Sequence, residues 1–294
     1  MLLAVLLSII GLGVVTLAYA SIVERNWFAL RKHRVPCLPP GSAPLRVLHI
    51  SDLHFRTGQR LKRSFLGRVA RTNPDLVVGT GDFLGGPGAV DDTVEAVTQI
   101  RPKTAALYVL GSNDYYRSSP TNPFKYLLGP SNRHGPPRGK PNPWRDMVAA
   151  LDAKGWRLIN NEATTVALDG LGAVDVVGLD DPHLRRHDIT VASPRSGEGF
   201  RLAVVHSPDA APALAELGYD LIVCGHTHGG QIRVPGVGAL VTNSTLPREM
   251  ARGLHRMDGA WLHVSAGMGT SPFTPVRFGC RPEACLLELV PRGA

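Results

Sequence analysis

The sequence has little of several features that would assign it to a narrow class. It holds only four cysteines in 294 residues, their spacing resembles no zinc knuckle, and a chain this long needs no cross-links, so we expect reduced thiols. Aromatic residues make up 6% of the chain, and no basic stripe is interleaved with them, which argues against a nucleic-acid partner. No internal repeat or long low-complexity tract is evident, so we expect one large globular domain.

The remaining composition describes a chain that can bury a full core. Hydrophobic residues make up 44% and charged residues 19%, and 24 prolines with 32 glycines indicate many tight connections. The net charge of +8 and the isoelectric point near 9.6 suit an anionic partner, which could be nucleic acid, a lipid headgroup or a phosphorylated metabolite. Charge alone does not choose among these partners.

The first 23 residues carry no charged side chain, and at about 1.5 Å per residue they can cross a hydrocarbon layer of about 30 Å. The "AYA" at residues 18–20 fits a signal-peptidase site. However, no basic segment precedes the apolar run, which is also longer than the usual signal core of about 7–15 residues. We therefore predict an uncleaved single-pass membrane anchor. The alternative is an exported domain, in which "CRPEAC" could close a small disulfide loop.

The charges around this segment are asymmetric. Only the amino terminus is basic before it, whereas four basic side chains follow it closely, so the positive-inside rule places the body of the protein in the cytoplasm. These side chains are Arg25, Arg31, Lys32 and Arg34.

The body alternates apolar runs with helix-like segments. Runs without polar alternation predict buried strands at residues 45–50, 75–80, 105–110, 200–206 and 219–225. Helical spacing at residues 61–73 and 91–100, between the first three strands, predicts β-α-β units. Later short strands, with few helices between them, predict a second sheet from residues 163–168, 173–179, 261–267 and 284–290.

Polar residues follow these predicted strands where each one ends. In an open α/β sheet such loops converge beyond the carboxyl ends of the strands, although their residues are far apart in sequence. Two carboxylates, an amide oxygen and four imidazoles exceed one tetrahedral site and match two divalent ions that share a bridging carboxylate. The candidate ligands are Asp52, His54, Asp82, Asn113, His206, His226 and His228.

Each of these motifs alone has a structural explanation. An Asp-x-His or Gly-Asp at a strand end is often a capped turn, and His206 could simply form a hydrogen bond within a loop. "GHTHGG" at residues 225–230 is more specific, because its glycines let the backbone approach closely and leave both imidazoles free to point one way. The argument for a metal centre rests on the whole set in this order.

These motifs together resemble the calcineurin-like metallophosphoesterases from about residue 45 to the end. "GHTHGGQIRVP" with the apolar amino terminus is similar to their membrane-associated bacterial branch, which includes phosphodiesterases and UDP-diacylglucosamine pyrophosphohydrolases. The resemblance implies an α/β fold, a four-layer αββα sandwich, preceded here by one transmembrane helix. It also implies a dinuclear centre of manganese, iron or zinc. We divide the chain into an anchor (1–23), a juxtamembrane linker (24–44) and a catalytic domain (45–294).

The resemblance implies a role for each candidate ligand. Asp52, His54 and His228 would hold the first metal, and Asp82 would bridge the two. The ligands of the second metal would then be Asn113, His206 and His226.

One motif departs from the family pattern. Gly-Ser-Asn-Asp stands at residues 111–114 where the family has Gly-Asn-His-Asp/Glu, so a gapless alignment puts Ser112 at the ligand position. We predict a one-residue slip that makes Asn113 the ligand, because an amide oxygen binds a divalent ion better than a serine hydroxyl does. Asp114 is then a candidate leaving-group acid if its pKa is raised, and a metal-bound water is the alternative. His183 and His187 are reserve candidates for the acid.

The resemblance implies hydrolysis of an anionic phosphoester or pyrophosphate, with membrane lipid as a second partner. A basic loop at residues 117–145 and the pair Arg185–Arg186 could grip the substrate, or could be ordinary solvated charge. The loop contains Arg117, Lys125, Arg133, Arg138, Lys140 and Arg145 and no acidic residue. A non-catalytic interaction module on the same fold and a nuclease are the alternative functions.

Overall fold

The computed structural model describes residues 1–118, 139–270 and 273–293, whose main strands form two six-stranded sheets. In spatial order, the first sheet contains β1 (Ala29–Leu38), β14 (Glu283–Pro291), β2 (Leu45–Ile50), β3 (Leu76–Thr80), β4 (Ala105–Val109) and β5 (Trp156–Leu158). The second contains β12 (Gly253–Met257), β13 (Ala260–Val264), β9 (Leu221–Cys224), β8 (Arg201–Val205), β7 (Gly172–Leu179) and β6 (Glu162–Leu168). A separate small hairpin pairs β10 (Arg233–Val234) with β11 (Gly238–Ala239).

Helices cover the outer faces of the two sheets. The α-helices are α1 (Leu2–Ala18), α2 (Arg60–Ala70), α3 (Val90–Val97), α4 (Ser112–Tyr115), α5 (Trp144–Asp152) and α6 (Ala211–Glu216). Helices α2, α3 and α5 pack on the first sheet, and α6 packs on the second.

The layers follow from the alternation of side chains along each strand. In β2, Leu48 and Ile50 face the helices, whereas Leu45 and Val47 face the other sheet. The central strands are apolar on both faces because each sheet is covered on both sides. The predicted four-layer αββα sandwich is therefore confirmed, and β2, β3, β4, β8 and β9 lie where the sequence placed them.

The last strand does not join the sheet that the sequence predicted. Residues 284–290 were assigned to the second sheet, but β14 lies in the first, where it runs antiparallel to β2 and parallel to β1. Its burial on both faces suits an interior position in either sheet, so periodicity could not choose between them.

The amino-terminal segment is a helical run over Leu2–Asn26, long and apolar enough to be a candidate membrane span. The segment after it is more than the predicted juxtamembrane linker of residues 24–44. Within it, β1 pairs with β14 along most of its length and so belongs to the first sheet. The sequence obscured this strand because Arg31, Lys32, His33 and Arg34 interrupt its apolar pattern, as an edge strand allows.

Candidate metal centre

The predicted ligands come together beyond the carboxyl ends of strands from both sheets. Asp52 and His54 follow β2, Asp82 follows β3, and Asn113 follows β4. From the second sheet, His206 follows β8, whereas His226 and His228 follow β9. Five of these residues are buried, whereas Asn113 and His228 are partly exposed.

Asp82 lies at the middle of the cluster. Its Oδ2 atom is 3.5 Å from His54 Nε2 and 3.6 Å from His206 Nε2. These two histidines belong to the two groups that were predicted to hold different metals. One carboxylate between two imidazole groups is the arrangement that a bridging ligand requires.

The first group contains Asp52, His54 and His228. His228 Nε2 is 3.6 Å from Asp52 Oδ1 and 3.2 Å from His54 Nε2. With Asp82, these side chains place one ligand atom each within 4.8 Å of one another. The outer nitrogen of His228, Nδ1, lies 3.3 Å from the Gly269 carbonyl. A hydrogen bond to this carbonyl requires the proton of the neutral ring on Nδ1, which leaves a lone pair on Nε2.

The second group contains His206 and His226. His206 Nδ1 donates to the Thr80 carbonyl at 2.6 Å, and His226 Nε2 lies 3.1 Å from the Asn243 carbonyl. The inner nitrogens of the two rings, His206 Nε2 and His226 Nδ1, lie 3.2 Å from each other. Imidazoles whose outer nitrogen is anchored by a backbone carbonyl are typical metal ligands. The donor set therefore fits divalent ions.

The backbone of the cluster is strained. Five of the seven predicted ligands have a positive φ, an uncommon conformation for a residue with a side chain, at a cost of about 1–3 kcal/mol each. Such strain persists where the surrounding structure holds it, and it often marks a functional site. The angles are 48° at Asp52, 40° at His54, 54° at Asp82, 69° at His226 and 51° at His228.

Gly225 explains why the His-x-His motif follows a glycine. A Cβ atom at this position would collide with Ser51 Oγ and with Asp52 Oδ2. Its absence lets the backbone N–H of His226 donate to Asp52 Oδ2 at 3.0 Å. The turn after β9 is thereby fixed to the turn after β2, although the two belong to different sheets.

The site carries a negative potential. Burial alone would lower the pKa of His206, but the carboxylates of Asp82, Asp181 and Asp52 outweigh it and raise that pKa to about 9. Burial lowers the pKa of His54 to about 4, which keeps its imidazole neutral and able to bind a metal. A buried cluster that stabilises a positive charge at its centre is suited to hold cations.

The altered turn at residues 111–114 places Asn113 beside Asp82. The Asn113 backbone N–H donates to Asp82 Oδ1 and its amide nitrogen donates to Asp82 Oδ2, both at 2.7 Å. A flip of this amide would direct its oxygen to the same place. The neighbouring Ser112 begins the short helix α4. This geometry favours Asn113 over Ser112 as the residue that reaches the site.

Asp114 ties the altered turn to the turn after β3. It is fully buried, and its two oxygens accept four backbone N–H groups, from Asp82, Phe83, Leu84 and Gly111, at 2.7–3.0 Å. Burial and the nearby Asp82 raise the pKa of this carboxyl to about 7, although the four donors favour its ionised form. The raised pKa is the condition that the predicted role requires, whereas the four donors give the carboxyl a structural role as well, so its role as leaving-group acid stays a prediction.

Several residues of the site were missed or undervalued in the sequence. Asn243 anchors His226, and Ser51 donates to Asp52. Of the two reserve histidines, His183 packs against His226 with ring centroids 4.6 Å apart, whereas no ring contact joins His187 to the ligands among the described side chains. The His183 loop also brings the buried Asp181 towards His206, whose pKa it raises. In the sequence, the only signal for the role of this loop is the motif "DDPH" at residues 180–183, directly after β7.

The basic residues that were predicted to grip the substrate differ in their surroundings. Lys125, Arg133 and Arg138 lie outside the described residues, whereas Arg117, Lys140 and Arg145 are exposed. Arg186 is paired with Asp180 at 3.0 Å and stacks on the Tyr115 ring at 4.2 Å. This arginine therefore packs the loop to the turn after β4, and its grip on a substrate stays a prediction.

Comparison with known proteins agrees with this geometry. Residues 45–230 match the family described as calcineurin-like phosphoesterase. The chain is 26% identical to phosphodiesterase YaeI of Escherichia coli over 92% of each protein. It is 25% identical to the UDP-2,3-diacylglucosamine pyrophosphatase LpxG of Chlamydia muridarum, over 96% of this chain and 95% of that protein. A bovine transmembrane protein with a metallophosphoesterase domain is 26% identical over 86% of this chain and 54% of its own length.

Proposed function

The chain belongs to the calcineurin-like phosphoesterase family of metal-dependent hydrolases, which use a dinuclear divalent metal centre, and we propose that it works at a membrane surface. Its substrate would be a lipid-linked or nucleotide-linked phosphodiester or pyrophosphate. The observation that carries this proposal is the position of Asp82 between two groups of inward-facing imidazoles.

The ligand assignment follows the two groups. Asp52, His54 and His228 would hold one ion, with Asp82 as the bridge. The second ion would be held by His206, His226 and Asn113. When bound, two divalent ions would neutralise phosphate charge and lower the pKa of the attacking water.

The residues of the chain restrict the choice of leaving group. All four backbone donors point at the Asp114 carboxyl, so carrying and transferring a proton there would break at least one of these hydrogen bonds. An alkoxide leaves poorly without protonation, whereas a phosphate or an aryl oxide leaves readily. We therefore expect the enzyme to prefer pyrophosphate bonds and aryl esters over simple alkyl esters.

The connection between the site and the apolar helix supports a membrane-linked substrate. Directly after His228, Gln231 donates to the Thr274 carbonyl at 2.9 Å, and the Arg233 N–H donates to the Phe278 carbonyl at 2.7 Å. The 274–280 segment is in turn fixed to the base of the helix. There, Arg277 donates its N–H to Ala20, and Glu24 accepts the N–H groups of Gly279 and Cys280.

The hairpin of β10 and β11 adds apolar surface close to this junction. Val234, Val237 and Leu240 are exposed. The hairpin is linked to the helical run through Phe278, whose carbonyl accepts the Arg233 N–H of β10 and whose ring contacts Tyr19. Exposed aliphatic side chains beside a candidate membrane span are suited to the lipid interface. The metal site would then open close to the headgroups, with the catalytic domain in the cytoplasm as the positive-inside rule predicts.

The first experiment tests the metal centre in the full chain, purified in detergent and loaded with manganese. Asp82→Asn should abolish turnover of an aryl phosphodiester and remove bound metal, because the bridge between the two groups is lost. Asp169→Asn, an exposed turn position, is the matched control. Fewer than one divalent ion per wild-type chain by elemental mass spectrometry would contradict the dinuclear centre.

The second experiment tests the membrane-linked substrate. Val237→Glu should reduce hydrolysis of a long-chain lipid-linked pyrophosphate in vesicles and leave hydrolysis of a soluble aryl phosphodiester unchanged. Ala163→Glu introduces the same charge at an exposed position of the edge strand β6. Equal rates of the two variants on the vesicle substrate would argue against the hairpin at the interface.

A further inference from the structure

A second cluster of metal-binding side chains lies between the two sheets. His33 on β1, His263 on β13 and Cys285 on β14 each place one ligand atom within 4.8 Å of the others. None of the three was predicted as a ligand. His263 and Cys285 are fully buried and His33 is half-buried at the sheet edge. Three distant parts of the chain thus bring two imidazoles and a thiol together.

Hydrogen bonds determine which nitrogen of His263 carries its proton. The Ser51 hydroxyl donates its single proton to the carboxylate of Asp52, so it must accept from Thr80 Oγ1 at 2.7 Å. The Thr80 hydroxyl is then an acceptor for His49 Nε2–H at 2.9 Å. This leaves a lone pair on His49 Nδ1.

The chain of donors ends at His263. Its Nδ1 lies 2.9 Å from His49 Nδ1 and must therefore donate, which leaves only a lone pair on Nε2. His263 Nε2 is buried and has no hydrogen-bond partner among the described atoms. Burial lowers the pKa of His263 well below its usual value, so the ring is neutral. A buried lone pair without a donor is costly unless a cation binds to it.

We propose that His33, His263 and Cys285 form a second metal site, separate from the catalytic centre, for a borderline divalent ion such as Zn²⁺. Imidazole nitrogen and thiolate sulfur are the ligands that zinc prefers, and in a tetrahedral site they lie about 3.3–3.8 Å apart. The observed spacing needs only a small closure of the side chains to reach that range. Binding replaces the thiol proton of Cys285, which is released to solvent.

Glu283 lies beside Cys285 but outside the group of ligand atoms that approach one another within 4.8 Å. It is almost fully buried, and its Oε1 atom accepts the Ala266 N–H at 3.0 Å and lies 3.7 Å from the Cys285 sulfur. Its Oε2 atom makes no hydrogen bond among the described atoms, and Arg31 Nε is 3.5 Å away. The three protein ligands would therefore leave one position of a tetrahedral site for water.

The position of this site indicates what it would do. It joins the edge strand β1, which follows the candidate membrane span, to β13 of the opposite sheet. It would also hold His263 in the tautomer that starts the hydrogen-bond chain through His49, Thr80 and Ser51 to Asp52. A metal here would therefore stabilise the attachment of β1 and orient a predicted ligand of the catalytic centre.

Cobalt spectroscopy of the full chain in detergent tests this site independently of the catalytic centre. Thiolate bound to Co²⁺ gives a charge-transfer absorption in the near ultraviolet, and the predicted catalytic ligands include no thiolate. The band should appear in the cobalt-loaded wild type and persist in Asp82→Asn. It should also persist in Cys37→Ser, which removes another buried thiol of β1.

Cys285→Ser should abolish the band, and His33→Ala, at a half-exposed position of the edge strand β1, should weaken it. Elemental mass spectrometry should find about one divalent ion fewer per chain in Cys285→Ser. Absence of the band from the wild type at saturating cobalt, or its persistence in Cys285→Ser, would overturn the proposal. Because Asp82→Asn is read out separately, failure of the catalytic assignment would leave this test intact.

Discussion

The substitution Asp114→Asn separates two roles for a residue in the altered turn. In the structure, Oδ2 accepts the N–H groups of Asp82 and Gly111, whereas Oδ1 accepts those of Phe83 and Leu84. An asparagine keeps one oxygen and turns its NH₂ group towards two N–H donors. Two charge-assisted hydrogen bonds are lost, and two buried donors are left without an acceptor.

The expected magnitude follows from these bonds. Each hydrogen bond to a charged group contributes about 1.5–3 kcal/mol, so the variant should lose about 3–6 kcal/mol of stability. At about 2–4 °C per kcal/mol, the thermal midpoint should fall by about 6–24 °C. If Asp114 has only this role, activity at low temperature should fall by a similar factor for good and poor leaving groups.

Two measurements on the full chain test this expectation. Thermal unfolding in detergent compares Asp114→Asn with the exposed control Asp169→Asn, which should match the wild type. Hydrolysis of an aryl and an alkyl phosphodiester gives the dependence on the leaving group. The reasoning would be refuted by an unchanged unfolding midpoint together with a selective loss of activity on the alkyl ester, because that pattern identifies a leaving-group acid.

Three further predictions concern the turn, the orientation and the first strand. Asn113→Ala should lower metal affinity or turnover by about 10–100-fold, whereas Ser112→Ala should be nearly silent in the same titration; the reverse ranking would restore the gapless alignment. A reporter fused after Ala294 should be active in its cytoplasmic form only, and activity of the exported form would place the domain outside. Deletion of residues 1–18 should leave a protein that circular dichroism shows to be folded. Deletion of residues 1–38 should not, because it also removes β1 from the first sheet. Equal unfolding midpoints of the two deletion variants would show that β1 is dispensable.

The comparison with the sequence is clearest at the ends of the central strands. Runs such as residues 45–50 and 219–225 are apolar on both faces, so their periodicity predicts buried strands. The motifs directly after them, which contain Asp52 and His226, are local features and could be read without knowing how the strands pair. The rule that strand ends converge in an α/β sheet then predicted the cluster.

Long-range pairing was decided by the tertiary structure alone. Nothing in the local pattern of residues 284–290 tells that β14 returns to the first sheet, because a strand buried on both faces fits either sheet. The half-polar β1 was hidden for the related reason that its edge position tolerates charge. Register and sheet membership depend on partners more than two hundred residues away, which a local window does not contain.

The chemistry of individual residues divides in the same way. The sequence by itself determined that two aspartates and four histidines stand at strand ends, because residue type and strand position are both local properties. The tertiary structure decided that Asp114 is an acceptor for four backbone amides, since those donors come from two separate turns. It also brought His33 to His263 and Cys285, which no spacing rule connects, because only the packing of one sheet on the other makes them neighbours.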